Sequence, residues 1–188
     1  LLDISDFDGG DLGEARDLIQ RLLSQLRPGD GLAVARIDTG SFSSRDVIAQ
    51  HILNGRPSLA NQEKRALNQE IAAYLEVAEP SPFTDITGGL LQAREWLFQQ
   101  PTAHKTVVIL SDLQQGQQEG YGGDFRVGLK GLEVVAVDIR RFKSEPNPPR
   151  YPQRLSRWRQ RIESNGGQWR VLGESKGLAA LLPERPRK

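Results

Sequence analysis

Three short clusters of hydroxyl and carboxyl side chains attract attention because each adjoins a hydrophobic stretch of the sequence. The clusters are Asp3 and Ser5 in LLDIS, Thr84 and Asp85 in PFTDI, and Ser111 and Asp112 in VVILSD. A carboxylate beside a hydrophobic core has to be hydrogen-bonded, paired with a cation or bound to a metal. Hydroxyl and carboxylate oxygens are ligands that hard divalent cations accept. The clusters therefore predict a metal site if the fold brings them together.

The composition narrows the kind of metal. The chain has no cysteine and only two histidines, His51 and His104. The lack of cysteine excludes disulfides, thiolate metal sites and cysteine nucleophiles, and two histidines are too few for a histidine-rich zinc site. We expect both histidines to be structural or surface residues. Any metal bound here is therefore expected to be a hard cation held by oxygen ligands, such as Mg²⁺, Mn²⁺ or Ca²⁺.

The elements that would position these clusters follow from the hydrophobic periodicity. Apolar runs predict strands at residues 1–5, 32–38, 106–110, 132–138 and 168–172. Helical spacing and capping signals predict helices at residues 11–27, 44–53, 59–78, 84–100, 153–165 and 177–182. This alternation predicts an α/β fold with a doubly wound, mostly parallel central sheet flanked by helices. The clusters follow or flank these strands, and the active crevice of such a sheet lies at the strands' carboxyl ends.

The length of 188 residues predicts one domain, residues 1–182, followed by a basic C-terminal tail, residues 183–188. No apolar run approaches the roughly 18 residues of a membrane-spanning helix, so no transmembrane segment is expected. The chain begins at Leu1 and contains no methionine. We therefore expect a fragment or a mature form, with an exported or periplasmic location favoured and a cytoplasmic one as the alternative.

The order of the three clusters resembles the metal-ion-dependent adhesion site of von Willebrand factor type A (VWA) domains. In that family the site consists of Asp-x-Ser-x-Ser after the first strand, a threonine before a mid-chain helix and an aspartate after the central strand. The matching segments here are LLDISDF, PFTDITGGLLQAREWL and TVVILSDL. The last two are similar to the family's Thr-Asp-Ile-x-Gly-Ala-Leu and apolar-Ser-Asp-Gly segments, and the resemblance covers nearly the whole chain.

The resemblance implies a Rossmann-like three-layer sandwich with a metal held by Asp3, Ser5, Thr84 and Asp112. It further implies a non-enzymatic protein-interaction module. In this family few direct ligands are charged, so the ion stays electrophilic and takes an acidic side chain of a protein partner as its final ligand. Which residues contact that partner, and which oligomeric state the protein has, do not follow from the sequence.

One position departs from the family pattern. Phe7 stands where the second serine is expected, and a phenylalanine cannot ligate a metal. A water molecule would have to replace that oxygen, or Asp6 or Asp8 would have to turn inward, with Asp85 as a further possible substitute. Otherwise the site is degenerate and structural. Two of these residues also have structural alternatives to metal binding. Thr84 is a candidate N-cap of the helix that follows, and Asp85 is a candidate stabiliser of the start of that helix.

Two other functions compete with this interpretation. The run Asp6-Phe7-Asp8-Gly9 resembles the nucleophile motif of haloacid dehalogenase-like phosphatases, in which one aspartate attacks phosphorus and the other acts as acid and base with Mg²⁺. That family's downstream paired acids are missing here.

The second alternative is nucleic-acid binding through a basic C-terminal region. Residues 139–188 carry 13 of the 25 Lys and Arg residues but only 4 of the 24 Asp and Glu residues. The candidate phosphate contacts are Arg140, Arg141, Lys143, Arg150, Arg154, Arg157, Arg159 and Arg161, with Trp158 as a base-stacking residue. The arginines at helical spacing equally fit one solvated helix face, and we expect nucleic acid not to be the main partner.

Overall fold

A computed structural model describes residues 1–5, 9–38, 43–79, 81–114, 128–137 and 150–172. Within these ranges the helices are α1 (Gly9–Gln25), α2 (Pro57–Val77), α3 (Ile86–Gln99) and α4 (Arg150–Ser164). The strands are β1 (Gly31–Ala35), β2 (Val47–Ile52), β3 (Thr106–Leu110), β4 (Glu133–Val137) and β5 (Gln168–Leu172). The predicted helix 177–182 and the basic tail 183–188 lie outside the described residues.

The strands form two sheets. Strands β3, β4 and β5 are parallel in that order, with Thr106 opposite Glu133 and Glu133 opposite Gln168. Strands β1 and β2 form an antiparallel pair. The predicted α/β class is therefore confirmed at this level: helices alternate with a parallel three-stranded sheet and a small antiparallel one.

The N-terminal segment, residues 1–5, lies between the two sheets. Leu2 forms one parallel bridge with Arg36, just past β1, and another with Leu110 at the end of β3. The Leu2 amide donates to the Ala35 carbonyl at 2.8 Å, and the Asp3 amide donates to the Leu110 carbonyl at 2.9 Å. This short segment therefore runs between β1 and β3 and carries Asp3 past their carboxyl ends.

The buried apolar residues form two cores. Side chains of α1 and α2 share one core with Leu2, Leu110 and the β4 residues Val135 and Val137. Side chains of α3 and α4 form the other core. They pack against the strand residues that alternate in sequence with the strand residues of the first core. Because neighbouring residues of a strand point to opposite faces of a sheet, one pair of helices covers each face. The prediction of a single doubly wound sandwich remains a prediction.

Two predicted elements differ in the structure. The strand predicted at residues 1–5 is reduced to isolated bridges at Leu2. Residues 44–53 were expected to form a short helix, but the structure has a single 3-10 turn (Ser44–Asp46) followed by β2. Ser43 and Asp46, which were expected to cap and stabilise the start of this helix, do interact locally, because the Ser43 amide donates to the Asp46 carboxylate. The β-branched residues that follow belong to β2, which pairs with β1. Pairing with the edge of β1 therefore outweighs the local preference for a helix.

None of the helices in the described part of the chain has the length and apolar character needed to cross a membrane.

Candidate metal site

Asp3 is the centre of a polar cluster at the carboxyl end of the sheet. Its side chain is buried, with a residue exposure of 1%. The Ser5 hydroxyl donates to Asp3 Oδ1 at 2.7 Å, and the Thr84 hydroxyl lies 3.3 Å from the same oxygen. The Ser111 hydroxyl donates to Asp3 Oδ2 at 2.6 Å. Three hydroxyls from three distant parts of the chain therefore meet at one carboxylate.

The loop before α3 places Thr84 in this cluster. The Asp85 amide donates to the Ile37 carbonyl at 2.6 Å, which fixes the loop to the chain just past β1. The Asp85 carboxylate accepts the Gly88 amide at 2.9 Å and caps the helix. Asp85 thus stabilises the helix start as expected, whereas the alternative of Thr84 as the N-cap is wrong. The hydroxyl of Thr84 is directed instead to Asp3 and Ser5.

A glycine allows α3 to start this close to the sheet. A Cβ atom on Gly89 would collide with the Ile37 side chain and would also touch Leu1. The second glycine of TDITGG therefore has a packing role, because the helix start that carries Thr84 and Asp85 rests directly on the end of the sheet.

The turn after β3 positions Ser111. Besides its bond to Asp3, the Ser111 hydroxyl accepts the Leu113 amide at 2.9 Å. Leu113 has a φ of 63°, which is rare for a residue other than glycine. Two contacts hold it there: its side chain is buried at 2% exposure, and its carbonyl accepts the Trp158 indole at 3.1 Å. The turn is thus anchored from both sides.

Asp112 lies in the same turn but is placed by different contacts. Its Oδ1 accepts the Gln114 amide at 2.8 Å. Arg154, on α4, donates from Nε to the Asp112 carbonyl at 2.8 Å and holds a terminal nitrogen 4.0 Å from Oδ2. The sequence did not indicate that Arg154 neighbours the site, and Ser111 was included in the cluster without a predicted role at the metal. Ser111 ends an apolar run and was detectable, whereas the contact of Arg154 required the fold.

A second buried carboxylate lies just past the end of β1. Asp38, at 0% exposure, forms two hydrogen bonds with the Arg36 guanidinium and accepts the Ser81 amide at 3.2 Å. Arg36 also donates to the Tyr74 hydroxyl and to the Glu79 carbonyl. The hydrogen bond to Asp38 is the main reason that the pKa of Arg36 lies above its usual value, with burial acting in the opposite direction. Through the Ser81 amide, the pair of Arg36 and Asp38 holds the chain in place just before the Thr84 loop.

The oxygen atoms around Asp3 suit a divalent cation. Adjacent ligands of an octahedral ion lie about 3.0 Å apart for Mg²⁺ and about 3.4 Å apart for Ca²⁺. The Ser5 and Thr84 hydroxyl oxygens are 3.3 Å apart. A hydroxyl that donates its proton to a carboxylate keeps its oxygen lone pairs for another partner. The donor set is therefore one of mostly neutral oxygens, and within the described ranges no three acidic or histidine side chains cluster as metal ligands.

Several predicted residues lie outside the described part of the chain. They include Asp6, Phe7 and Asp8, so the substitution of a ligand at Phe7 and the phosphatase alternative stay predictions. The same holds for Arg140, Arg141 and Lys143 and for the side chain of Arg150.

Three arginines of α4 contact groups within the protein. Besides Arg154, which contacts Asp112, Arg159 pairs with Glu163 at 2.9 Å, and the Arg161 guanidinium stacks over Trp158. Trp158 is itself buried at 4% exposure, so its predicted alternative role as a base-stacking residue is wrong. His51 is half exposed and lies 3.4 Å from Glu63, in keeping with a surface role.

Comparisons with known proteins add no relative to this picture. No model of a known protein family matches the sequence, and a search among curated proteins found no significant match. The resemblance to VWA domains therefore stays a prediction that rests on the motifs and on the geometry around Asp3.

Proposed function

We propose that this protein is a non-enzymatic interaction module of the VWA type, which binds a protein partner through a divalent cation at the carboxyl end of its sheet. One observation carries the proposal. The hydroxyls of Ser5, Thr84 and Ser111 all lie within 3.3 Å of the buried Asp3 carboxylate. Two of these hydroxyls belong to residues that the family motif assigns to the metal.

The fold that we propose for the protein is the doubly wound three-layer sandwich. In support, the N-terminal segment bridges β1 and β3, which gives a sheet order of β2, β1, N-terminal segment, β3, β4, β5. Helices cover both faces of this arrangement. Such a sheet places its ligand at the carboxyl ends of the strands, where Asp3 lies.

The proposed chemistry uses mostly neutral ligands. Ser5 and Thr84 supply hydroxyl oxygens, whereas Asp3 and Asp112 supply negative charge directly or through bridging water. Ser111 orients Asp3 by its hydrogen bond to Oδ2. An ion with so few charged ligands remains a strong electrophile and accepts a carboxylate from an acidic residue of the partner. Mg²⁺ fits this role, and Mn²⁺ or Ca²⁺ are the alternatives.

Isothermal titration calorimetry tests the metal site. We expect Mg²⁺ or Mn²⁺ to bind wild-type protein with one site per chain and to bind Asp3→Asn and Asp112→Ala at least about 10-fold more weakly. Asp17→Asn is the matched control, because Asp17 is exposed on α1 and its loss should leave binding unchanged. An absence of binding to the wild-type protein would refute the proposal.

A second experiment tests the acidic partner. The probe is a fluorescent oligoglutamate peptide, with an oligoglutamine peptide of the same length as control. We expect the glutamate peptide to bind in Mg²⁺ and to be released by EDTA, because the metal supplies the bond to the carboxylate. Equal binding with and without EDTA would exclude a metal-mediated contact.

A further inference from the structure

The sequence contains two Asn-Gly pairs, Asn54-Gly55 and Asn165-Gly166. An asparagine that precedes a glycine is prone to deamidation, because the backbone nitrogen of the glycine can attack the side-chain amide of the asparagine. The glycine places no side chain in the way of this attack and leaves the backbone free to turn. The reaction needs an accessible asparagine and a glycine nitrogen that no hydrogen bond restrains, so the fold decides which pair reacts.

The first pair meets both conditions. Asn54 and Gly55 lie in the turn between β2 and α2, and both residues are exposed. The chain is held on either side of Gly55: the Asn54 amide donates to the Glu63 carboxylate at 2.6 Å, and the Arg56 carbonyl accepts the Ala60 amide at 3.0 Å. Within the described part of the chain, no hydrogen bond restrains the nitrogen of Gly55 itself.

A hydrogen bond to the Asn54 side chain favours the attack. Its Oδ1 accepts the Arg56 amide at 2.9 Å. This Asx turn holds the side-chain amide of Asn54 against the backbone that follows it. The same N–H donates to the oxygen on which negative charge develops when a nucleophile adds to the amide carbon, and it therefore stabilises that charge.

The second pair follows α4 and is restrained at both reacting groups. Asn165 Nδ2, which would be the leaving group, donates to the Arg161 carbonyl at 2.8 Å. The nitrogen of Gly166, which would be the nucleophile, donates to the Glu163 carbonyl at 3.0 Å. The φ of Gly166 is 83°, so the turn that ends the helix requires this glycine. Deamidation here would need both hydrogen bonds to break and the end of α4 to open.

We propose that Asn54 is a site of spontaneous deamidation in the folded protein and that the fold protects Asn165. The Gly55 nitrogen loses its proton to solvent and forms a bond to Asn54 Cγ, and the bond from Cγ to Nδ2 breaks with release of ammonia. Water then opens the resulting five-membered succinimide at either carbonyl, which gives aspartate or isoaspartate. Both products add a negative charge beside Glu63, at the turn that leads into α2. This modification is independent of metal binding.

Peptide mapping by mass spectrometry tests the proposal, because deamidation replaces an amide nitrogen by oxygen and raises the mass of the peptide. Folded wild-type protein is incubated at mildly alkaline pH, and the conversion of the two asparagines is followed over time. We expect Asn54 to react at least about 10-fold faster than Asn165, which reacts only when the end of α4 opens. In urea, where the fold is lost, the two rates should become similar.

Gly55→Ala is the matched variant. The φ of Gly55 is not in the left-handed region, and a Cβ atom at this position meets no other atom within 4 Å, so an alanine fits the turn. We expect this variant to slow the conversion of Asn54 at least about 10-fold, because the added methyl group hinders ring closure. The conversion of Asn165 should not change.

Three results would overturn the proposal. Equal rates for Asn54 and Asn165 in the folded protein would mean that the fold does not select the site. A difference of the same size in urea would assign the selectivity to the local sequence and not to the hydrogen bonds around Asn165. An unchanged rate at Asn54 in Gly55→Ala would exclude attack by the nitrogen of residue 55.

Discussion

Two buried aspartates lie at the carboxyl end of the sheet in contrasting surroundings. Asp38 has an exposure of 0% and Asp3 of 1%. The guanidinium of Arg36 forms two hydrogen bonds with Asp38, so its charge is balanced within the chain. Asp3 receives the hydroxyls of Ser5 and Ser111, which carry no charge.

The difference suggests separate roles for the two carboxylates. A buried ion pair fixes the conformation around it, and Asp38 holds the loop that leads to Thr84 through the Ser81 amide. Hydroxyls orient a carboxylate while leaving their own oxygens able to bind a cation. In this account Asp38 is part of the framework, and Asp3 is the metal ligand that the framework positions.

The largest expected effect comes from breaking the ion pair. Arg36→Gln leaves Asp38 buried with its charge uncompensated, and we expect the free energy of unfolding to fall by about 3–5 kcal/mol. Urea denaturation followed by circular dichroism measures this loss. The double variant Arg36→Gln/Asp38→Asn should recover much of it, because the buried charge is gone. A double variant no more stable than the single one would contradict the assigned pairing.

A smaller loss is expected on the Asp3 side. Ser111→Ala removes the hydroxyl that donates to Asp3 and accepts the Leu113 amide, and both bonds are buried. We expect a loss of about 1–3 kcal/mol in urea denaturation. Ser5→Ala is the matched comparison, because Ser5 is partly exposed and should lose less. The reverse order of the two losses would mean that Ser111 does not orient Asp3.

The turn that carries Ser111 and Asp112 offers a sharper comparison. Leu113→Ala and Leu113→Gly both remove the buried side chain, but only glycine adopts a positive φ without strain. Both variants should be destabilised by the lost burial. We expect the glycine variant to be more stable than the alanine variant by about 1 kcal/mol. A more stable alanine variant would show that the turn stores no backbone strain.

The smallest expected effect concerns the charge beside Asp112. Arg154→Gln removes a cation that lies 4.0 Å from the Asp112 carboxylate and would repel a bound metal. We expect the Mg²⁺ affinity to rise by roughly 2- to 5-fold, since the pair is partly solvent-exposed. Arg157→Gln, on the exposed face of α4, is the control and should change little. A weaker affinity in Arg154→Gln would mean that the arginine supports the site by holding the turn.

Most of the framework could be predicted from the sequence, because its signals are local. The apolar run 106–110 and the helical spacing of 59–78 lead directly to β3 and α2. The helix predicted at 44–53 failed, since pairing with β1 is a long-range effect that residue preferences do not contain. The order of the three clusters predicted that Asp3, Ser5 and Thr84 would meet.

The remaining features of the site depend on the assembled fold. No local pattern distinguishes Asp38 as the partner of Arg36, although the two residues are close in sequence. The contact of Arg154 with Asp112 joins residues 42 positions apart. The positive φ of Leu113 could not be predicted from the sequence either, because a leucine does not indicate a left-handed backbone conformation.

The most direct test of the account compares the stability of three proteins in 10 mM Mg²⁺ and in EDTA: the wild type, Asp3→Asn and Arg36→Gln/Asp38→Asn. A ligand that binds only the folded state at a Kd of about 1 mM adds about 1.4 kcal/mol at this concentration. We expect the wild type and the double variant to gain this stability, and Asp3→Asn, with an affinity at least about 10-fold weaker, to gain about 0.4 kcal/mol or less. An equal gain in Asp3→Asn and the wild type, or no gain in the wild type, would contradict the assignment of Asp3 as a metal ligand.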